Sequence, residues 1–259
     1  METPLDRAHA AMQAAPEDER ARLRYFERVA DGELFVLLAA EPGEQGLDFE
    51  TFPVGGGRYV LAFDREERLA AFAGRPAPYA ALSGRALANM LAGQGLGLGL
   101  NLGALSETLL AAEALGWLAA TLGHEGPEET EARPEEFRAP VGLPEPLIEA
   151  LSVKLALAAG LARAAWLCGV SYEGGRRGHL LAFVDAEPGA EAALARAVSE
   201  ALVFSGIEAG ALDVAFLDAA DPAAARLATV GLGFEIPKPA APEPPAAPGS
   251  DPARPPRLR

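Results

Sequence analysis

Few of the residue types that carry enzyme chemistry occur in this chain of 259 residues. Its one cysteine, Cys168, has no intrachain partner, so no internal disulfide is possible and the chain fits a reducing compartment. The three histidines, His9, His124 and His179, form no pair at helical or CxxC-like metal spacing, so no metal site is expected. Lysine is nearly absent: Lys154 and Lys238 stand against twenty arginines. No GxxxxGK[ST] and no GxSxG segment occurs, which removes the P-loop and the nucleophile elbow.

Positive charge is also scarce. The formal net charge is -15, and no basic stripe with interleaved aromatics is present. Nucleic acid phosphates and anionic lipid surfaces are therefore repelled at long range, and neither is an expected partner. The start, Met-Glu-Thr-Pro-Leu-Asp, has no apolar h-region, so it does not read as a secretory signal, and a cytoplasmic location is expected. The nearest approach to a membrane span is 86–106, which carries no charge. Gly93, Gly95, Gly97, Gly99 and Gly103 interrupt it at a cost of roughly 1 kcal/mol each in a helix. It reads as a helix end, a turn and a buried strand.

What is present is enough apolar sequence for a folded core: half the residues are hydrophobic and 23% are charged. Two segments break the pattern. Residues 123–143 hold six glutamates and three prolines with little apolar periodicity, and read as a linker. Residues 237–259 hold nine prolines in 23 residues, a composition too poor in apolar side chains to offset its ordering entropy, and read as a disordered tail. The expected division is therefore 1–122, a linker, 144–236 and the tail.

Period-two and period-3.6 patterns alternate in both halves. Leu23, Phe26, Val29 and Ala30 share one face of a helix over 17–30. Glu33–Ala40 is a nearly continuous apolar run, the pattern of a strand buried on both faces. A glycine turn at 55–57 joins two strands into a hairpin. Asp64 with Glu67 predicts a capping box for the next helix, and Ser83 predicts the start of another. Leu96, Leu98, Leu100 and Leu102 alternate with Gly97, Gly99 and Asn101, a strand whose glycine face suits close packing or the floor of a groove. In the second half, helices over 145–158 and 188–204 and strands over 162–171, 179–185, 211–217 and 232–236 are expected, with Asp221 and Pro222 starting a further helix. The class is α+β: two small mixed α/β domains, with hairpin-containing sheets flanked by helices.

Chemistry-bearing candidates are sparse. Cys168 lies in the apolar strand AAWLCGVSY, where burial raises a thiol pKa, and no arginine follows until Arg176. It reads as a core thiol. Asp185, Glu208, Asp213 and Asp218 stand near strand ends and leave a carboxylate-based site open. For ligand contact the candidates are Arg85 inside the helix after Ser83, Asn101 on the glycine face, and Asp213. No catalytic, cofactor or metal residue is assigned.

The blocks ELFVLLAA, GGRYVLAFDREERLAAFAG, PYAALSGRALANMLAGQGLGLGLNLG and EALVFSGIEAGALDVAFL resemble the SseB family, the enhanced serine sensitivity proteins. The first half resembles the family's N-terminal domain and the second half its C-terminal domain. The resemblance rests on core and turn residues and carries over no catalytic residue. It implies a non-enzymatic binding or regulatory protein linked to serine sensitivity, acting on a protein partner or a small molecule. The alternative class is an enzyme with an unrecognised, carboxylate-based site.

Overall fold

In a computed structural model of the chain, residues 2–43, 46–123, 134–206 and 212–238 are described. The first helix, α1 (Pro4–Ala14), starts on a reciprocal box. The Thr3 hydroxyl accepts from the Asp6 amide, and the Asp6 carboxylate accepts from the Thr3 amide. Helix α2 (Glu19–Asp31) is capped by Asp18 and buries Tyr25, Phe26, Val29 and Ala30, the stripe its periodicity predicts. Six strands follow: β1 (Glu33–Leu37), β2 (Thr51–Val54), β3 (Gly57–Phe63), β4 (Tyr79–Ser83), β5 (Leu96–Leu100) and β6 (Thr108–Leu110). Between them lie α3 (Glu66–Ala73) and α4 (Gly84–Leu91), and α5 (Ala112–Leu122) closes the half. The sheet order is β4-β1-β3-β5-β6, antiparallel except for the parallel β3–β5 pair, with β2 paired to β3 as the predicted hairpin.

This sheet has two apolar faces. Leu34, Val36, Val60, Leu98, Leu100 and Leu110 pack under α2, α4 and α5. Leu37, Leu61 and Phe63 pack under Leu69 of α3. The apolar run that begins at Glu33 is thus covered on both sides, as expected. The glycine face of β5 is not a groove floor. A Cβ at Gly97 would lie 2.4 Å from the Tyr59 ring, and one at Gly99 2.7 Å from Leu61, so side chains of the neighbouring strand lie across it. Gly84 has a different constraint: a Cβ there would lie 1.7 Å from the Val29 carbonyl oxygen, so only glycine lets α4 start against α2.

The second half holds β7 (Pro134–Arg138), α6 (Glu145–Leu157), β8 (Ala164–Tyr172), β9 (Arg177–Val184), α7 (Glu191–Phe204), β10 (Leu212–Leu217), α8 (Pro222–Val230) and β11 (Leu232–Phe234). The order is β10-β9-β8-β11, with β7 also on β8. The β9–α7–β10 crossover makes one parallel pair, and the other pairs are antiparallel. Helices α6 and α7 cover one face, and α8 packs Leu227 on the other. The architecture is α+β in two small units, each a mixed sheet flanked by helices.

Two local expectations are corrected. Residues 134–138 are a strand rather than linker, because Phe137 packs into the α8-side core and Arg138 donates to the Ser171 hydroxyl at 2.6 Å. Proline suits the first position of such a strand. Asp64 does not cap α3: the N-cap position is Arg65, with no side-chain cap bond, and the Asp64 carboxylate bonds elsewhere. Residues 124–133 of the expected linker and the proline tail from 239 onward lie outside the described residues.

The helical layers of the two units face each other. Phe204, at the end of α7, belongs to the core of the first unit and meets Trp117 of α5 edge-on, ring centroids 6.4 Å apart. Beside it, Lys154 of α6 is 4% exposed and surrounded by carboxylates. Its Nζ donates to both oxygens of Asp31 at 2.8 Å and to Glu200 at 3.1 Å, with Glu27 at 3.8 Å. Arg85 of α4 grips Glu200 through two bonds of 2.7 and 2.8 Å. Lys154→Ala removes the cation shared by three carboxylates, of which Glu200 alone keeps a close partner in Arg85, and is expected to cost about 3–5 kcal/mol. Urea denaturation measures it, and a loss below about 1 kcal/mol would show that the cluster does not hold the units together.

Candidate binding cleft

Because Asp64 does not cap α3, its carboxylate joins a polar hub with α1. Thr3 donates to Asp64 at 2.6 Å. Arg68 bridges Asp6 through two bonds of 2.6 and 2.8 Å and reaches Asp64 at 2.8 Å. Ser106 donates to Asp6 at 2.5 Å. Asn101, fully buried at φ +53, accepts from the Asp64 amide at 3.0 Å and donates to Ser106 at 3.1 Å. The Arg68 guanidinium holds the Asp6 carboxyl well below the ordinary carboxylate range, outweighing the opposing effect of burial.

Next to this hub a cleft of about 540 Å³ opens between the start of α1, the end of α2, the start of β1, the β3–α3 turn and Leu157 at the end of α6. Asp31 and Asp64 line it, but both are committed, to Lys154 and to Thr3 with Arg68. Arg28 and Arg65 also line it, and among the described residues neither side chain has an ion pair or hydrogen bond. Arg65 Nε is enclosed from solvent and has no acceptor among the described residues.

The three ligand candidates fall on different parts of the molecule. Arg85 belongs to the cluster between the units, and Asn101 to the hub. Asp213, on β10, accepts from Tyr172 at 2.6 Å and pairs with Arg176 at 3.0 Å. Of the other strand-end acids, Asp185 accepts from the Ala219 amide and Asp218 from the Ala220 amide, each at 2.7 Å. These are turn-closing bonds. Glu208 lies outside the described residues. Sequence reasoning missed Arg65, because the capping-box pattern at Asp64 hid the uncapped helix start. It missed Lys154 because an isolated lysine in an apolar helix carries no motif.

The histidines stay apart: His9 is buried beside Gln13, and His179 Nε2 lies 3.1 Å from the Val141 carbonyl oxygen. Among the described residues no group of His, Cys, Asp and Glu has metal-site geometry, and no helix is long and apolar enough to cross a membrane.

Cys168 is fully buried against Val170, Leu180 and Leu227, and burial pushes its thiol up to about 11. Burial charges the other shifted acids differently. It raises Glu27, with Lys154 opposing. It would raise Glu200 too, but Arg85 and Lys154 outweigh it and hold Glu200 below its ordinary value.

Two outcomes follow. Native protein is expected to react slowly with a thiol reagent at neutral pH and quickly once unfolded; fast labelling of the folded chain would show an accessible thiolate. Asp6, with its lowered pKa, stabilises the fold above the ordinary aspartate pKa of about 4, and that contribution is lost as the pH falls. Asp6→Asn is therefore expected to lower stability at pH 7 and to flatten the acid limb of a stability–pH profile. An acid limb unchanged in the variant would place the acid sensitivity elsewhere.

Residues 5–117 match the family model of the SseB protein N-terminal domain, a span that takes in the hub apart from Thr3 and every wall of the cleft except Thr3, Pro4 and Leu157. Comparison with the curated proteins and with the solved structures gives no match. By this match the first unit is similar to the SseB protein N-terminal domain.

Proposed function

We propose that the chain is a non-enzymatic binding or regulatory protein linked to amino-acid, and specifically serine, sensitivity, with a second unit that is the family's C-terminal-like domain. The observation that carries this reading is where the reactive groups sit. Among the described residues, the buried charged side chains are Glu27, Lys154 and Glu200, and all three belong to the cluster between the units. The remaining close carboxylate pair, Asp6 and Asp64, shares Arg68. Acid–base work by two carboxylates needs one that keeps its proton and one that loses it, and here the Arg68 guanidinium is spent holding Asp6 ionised. The one thiol is enclosed in a sheet core, where the thiolate is disfavoured. A cleft bounded by both units and containing unpartnered donors fits recognition better than turnover. Recognition inside a reducing compartment makes the cytoplasm the site of action.

The test combines chemistry with phenotype. Purified protein incubated with L-serine is expected to return it unchanged by proton NMR. Cys168→Ala and Asp213→Asn variants are expected to restore serine tolerance to a strain lacking the gene as well as the wild type does. Consumption of serine, or loss of complementation by a stably folded variant of either residue, would favour the enzyme reading.

A further inference from the structure

The cleft described above is chemically lopsided. Its acids nearest the core, Asp31 and Asp64, are both neutralised by bonds within the protein. Its two half-buried cations, Arg28 and Arg65, make no ion pair or hydrogen bond among the described residues, although Arg28 acts on Glu27 through its charge. A buried N–H donor with no acceptor is destabilising, the more so when the group is charged. The Nε of Arg65 is enclosed and has no acceptor among the described residues, so a ligand in the cleft meets this side chain at its terminal nitrogens. The turn that carries it adds more donors, since α3 begins without a side-chain cap.

The remaining walls limit what can complete this set. Glu33, Glu66 and Glu67 line the same cleft and are exposed. Three exposed carboxylates lining the cleft oppose entry of a doubly charged phosphate about twice as strongly as that of a single negative charge. Leu5, Leu34, Phe35 and Leu157 provide apolar wall, with Leu157 61% exposed at the end of α6. A planar guanidinium matches a carboxylate through two parallel bonds.

We propose that this cleft binds a small monocarboxylate with an apolar body, its carboxylate taken by Arg65 and Arg28 and its hydrocarbon laid against Phe35 and Leu157. The assignment rests on the reading of the chain as a binding protein and narrows it to one ligand class. It also gives the second unit a role in the site, because Leu157 comes from α6 while the cations come from the first unit.

Isothermal titration of the full chain with 4-methylpentanoate, with 4-methylpentanamide and with inorganic phosphate tests it. The acid is expected to bind one to one, the amide at least tenfold more weakly, and phosphate not to compete. Arg65→Gln and Arg28→Gln should each weaken the acid tenfold or more while the thermal midpoint stays within a degree or two, since neither side chain has a hydrogen bond or ion pair among the described residues. Leu157→Asp should weaken the acid without affecting Arg65. Equal binding of acid and amide, no binding of the acid to folded wild-type chain, or wild-type affinity in both arginine variants would overturn the assignment. Those outcomes leave the non-enzymatic reading standing, whereas turnover of L-serine would remove that reading and leave the cleft chemistry to this titration.

Discussion

The ammonium of Lys154 is the constraint on which the arrangement of the two units depends. It is buried among Asp31, Glu200 and Glu27, which come from α2 and α7, and it sits on α6. Desolvating one ammonium and three carboxylates is expensive, and their mutual attraction repays it only with good geometry and enough hydrogen bonds. The geometry meets that condition: three donors of Nζ reach three carboxylate oxygens at 2.8, 2.8 and 3.1 Å. Arg85 adds a second cation on Glu200, so the cluster carries two positive and three negative formal charges. The least satisfied acid is Glu27, whose Oε1 has no hydrogen-bond partner among the described residues and whose pKa burial raises, so that burial favours its neutral form. Specificity is the better account of such a cluster than raw stability. An apolar seam would tolerate several relative positions of the units, whereas the ion cluster and the inserted Phe204 define one.

The choice of lysine here has a chemical reason. Arginine outnumbers lysine ten to one in this chain, and it serves wherever a bidentate grip suffices, as at Arg68 on Asp6 and Arg85 on Glu200. A guanidinium presents its donors in one plane as a fork. Acids arriving from two different helices around one point need a compact cation with three rotatable donors, which is what an ammonium supplies. Lys154 fills that place, with the Phe204 ring 5.7 Å away on the same seam.

Much of the fold was legible because hydrophobic periodicity and turn chemistry reported it directly. The glycine hairpin between β2 and β3, the stripe of α2, the alternating leucines of β5 and the Asp221-Pro222 start of α8 all stand where their patterns put them. The failures have a shared cause. A local signal was outbid by a distant partner. Asp64 and Glu67 are spaced as a capping box, yet Asp64 bonds to Thr3, 61 positions away, and to Arg68. Residues 134–138 are charged and proline-led, yet one aromatic side chain, Phe137, is enough to hold them on the edge of β8. The site was less legible than the fold. Arg85, Asn101 and Asp213 were singled out for polar character, and each is held by protein partners. The residues that define the cleft are marked by what they fail to bond, and a sequence does not show that.

The hub and the cluster between the units also explain why a cleft exists between them. Asp64 and Asp31 are anchored on opposite sides of it, one to α1 and Arg68, the other to Lys154. Each anchor pulls an acid away from the arginines that would otherwise take it: Arg65 is adjacent to Asp64 in sequence, and Arg28 is three residues before Asp31 on the same helix. At that spacing Arg28 and Asp31 are natural partners for a helix-surface pair. The stronger, more buried bonds to Lys154 and Arg68 win because desolvated ion pairs gain more from each contact than exposed ones do. The two arginines are thus left over from the bonding that fixes the fold, and they are left on the same cleft. The framework of the protein and the chemistry of its cleft follow from the same competition among carboxylates and cations.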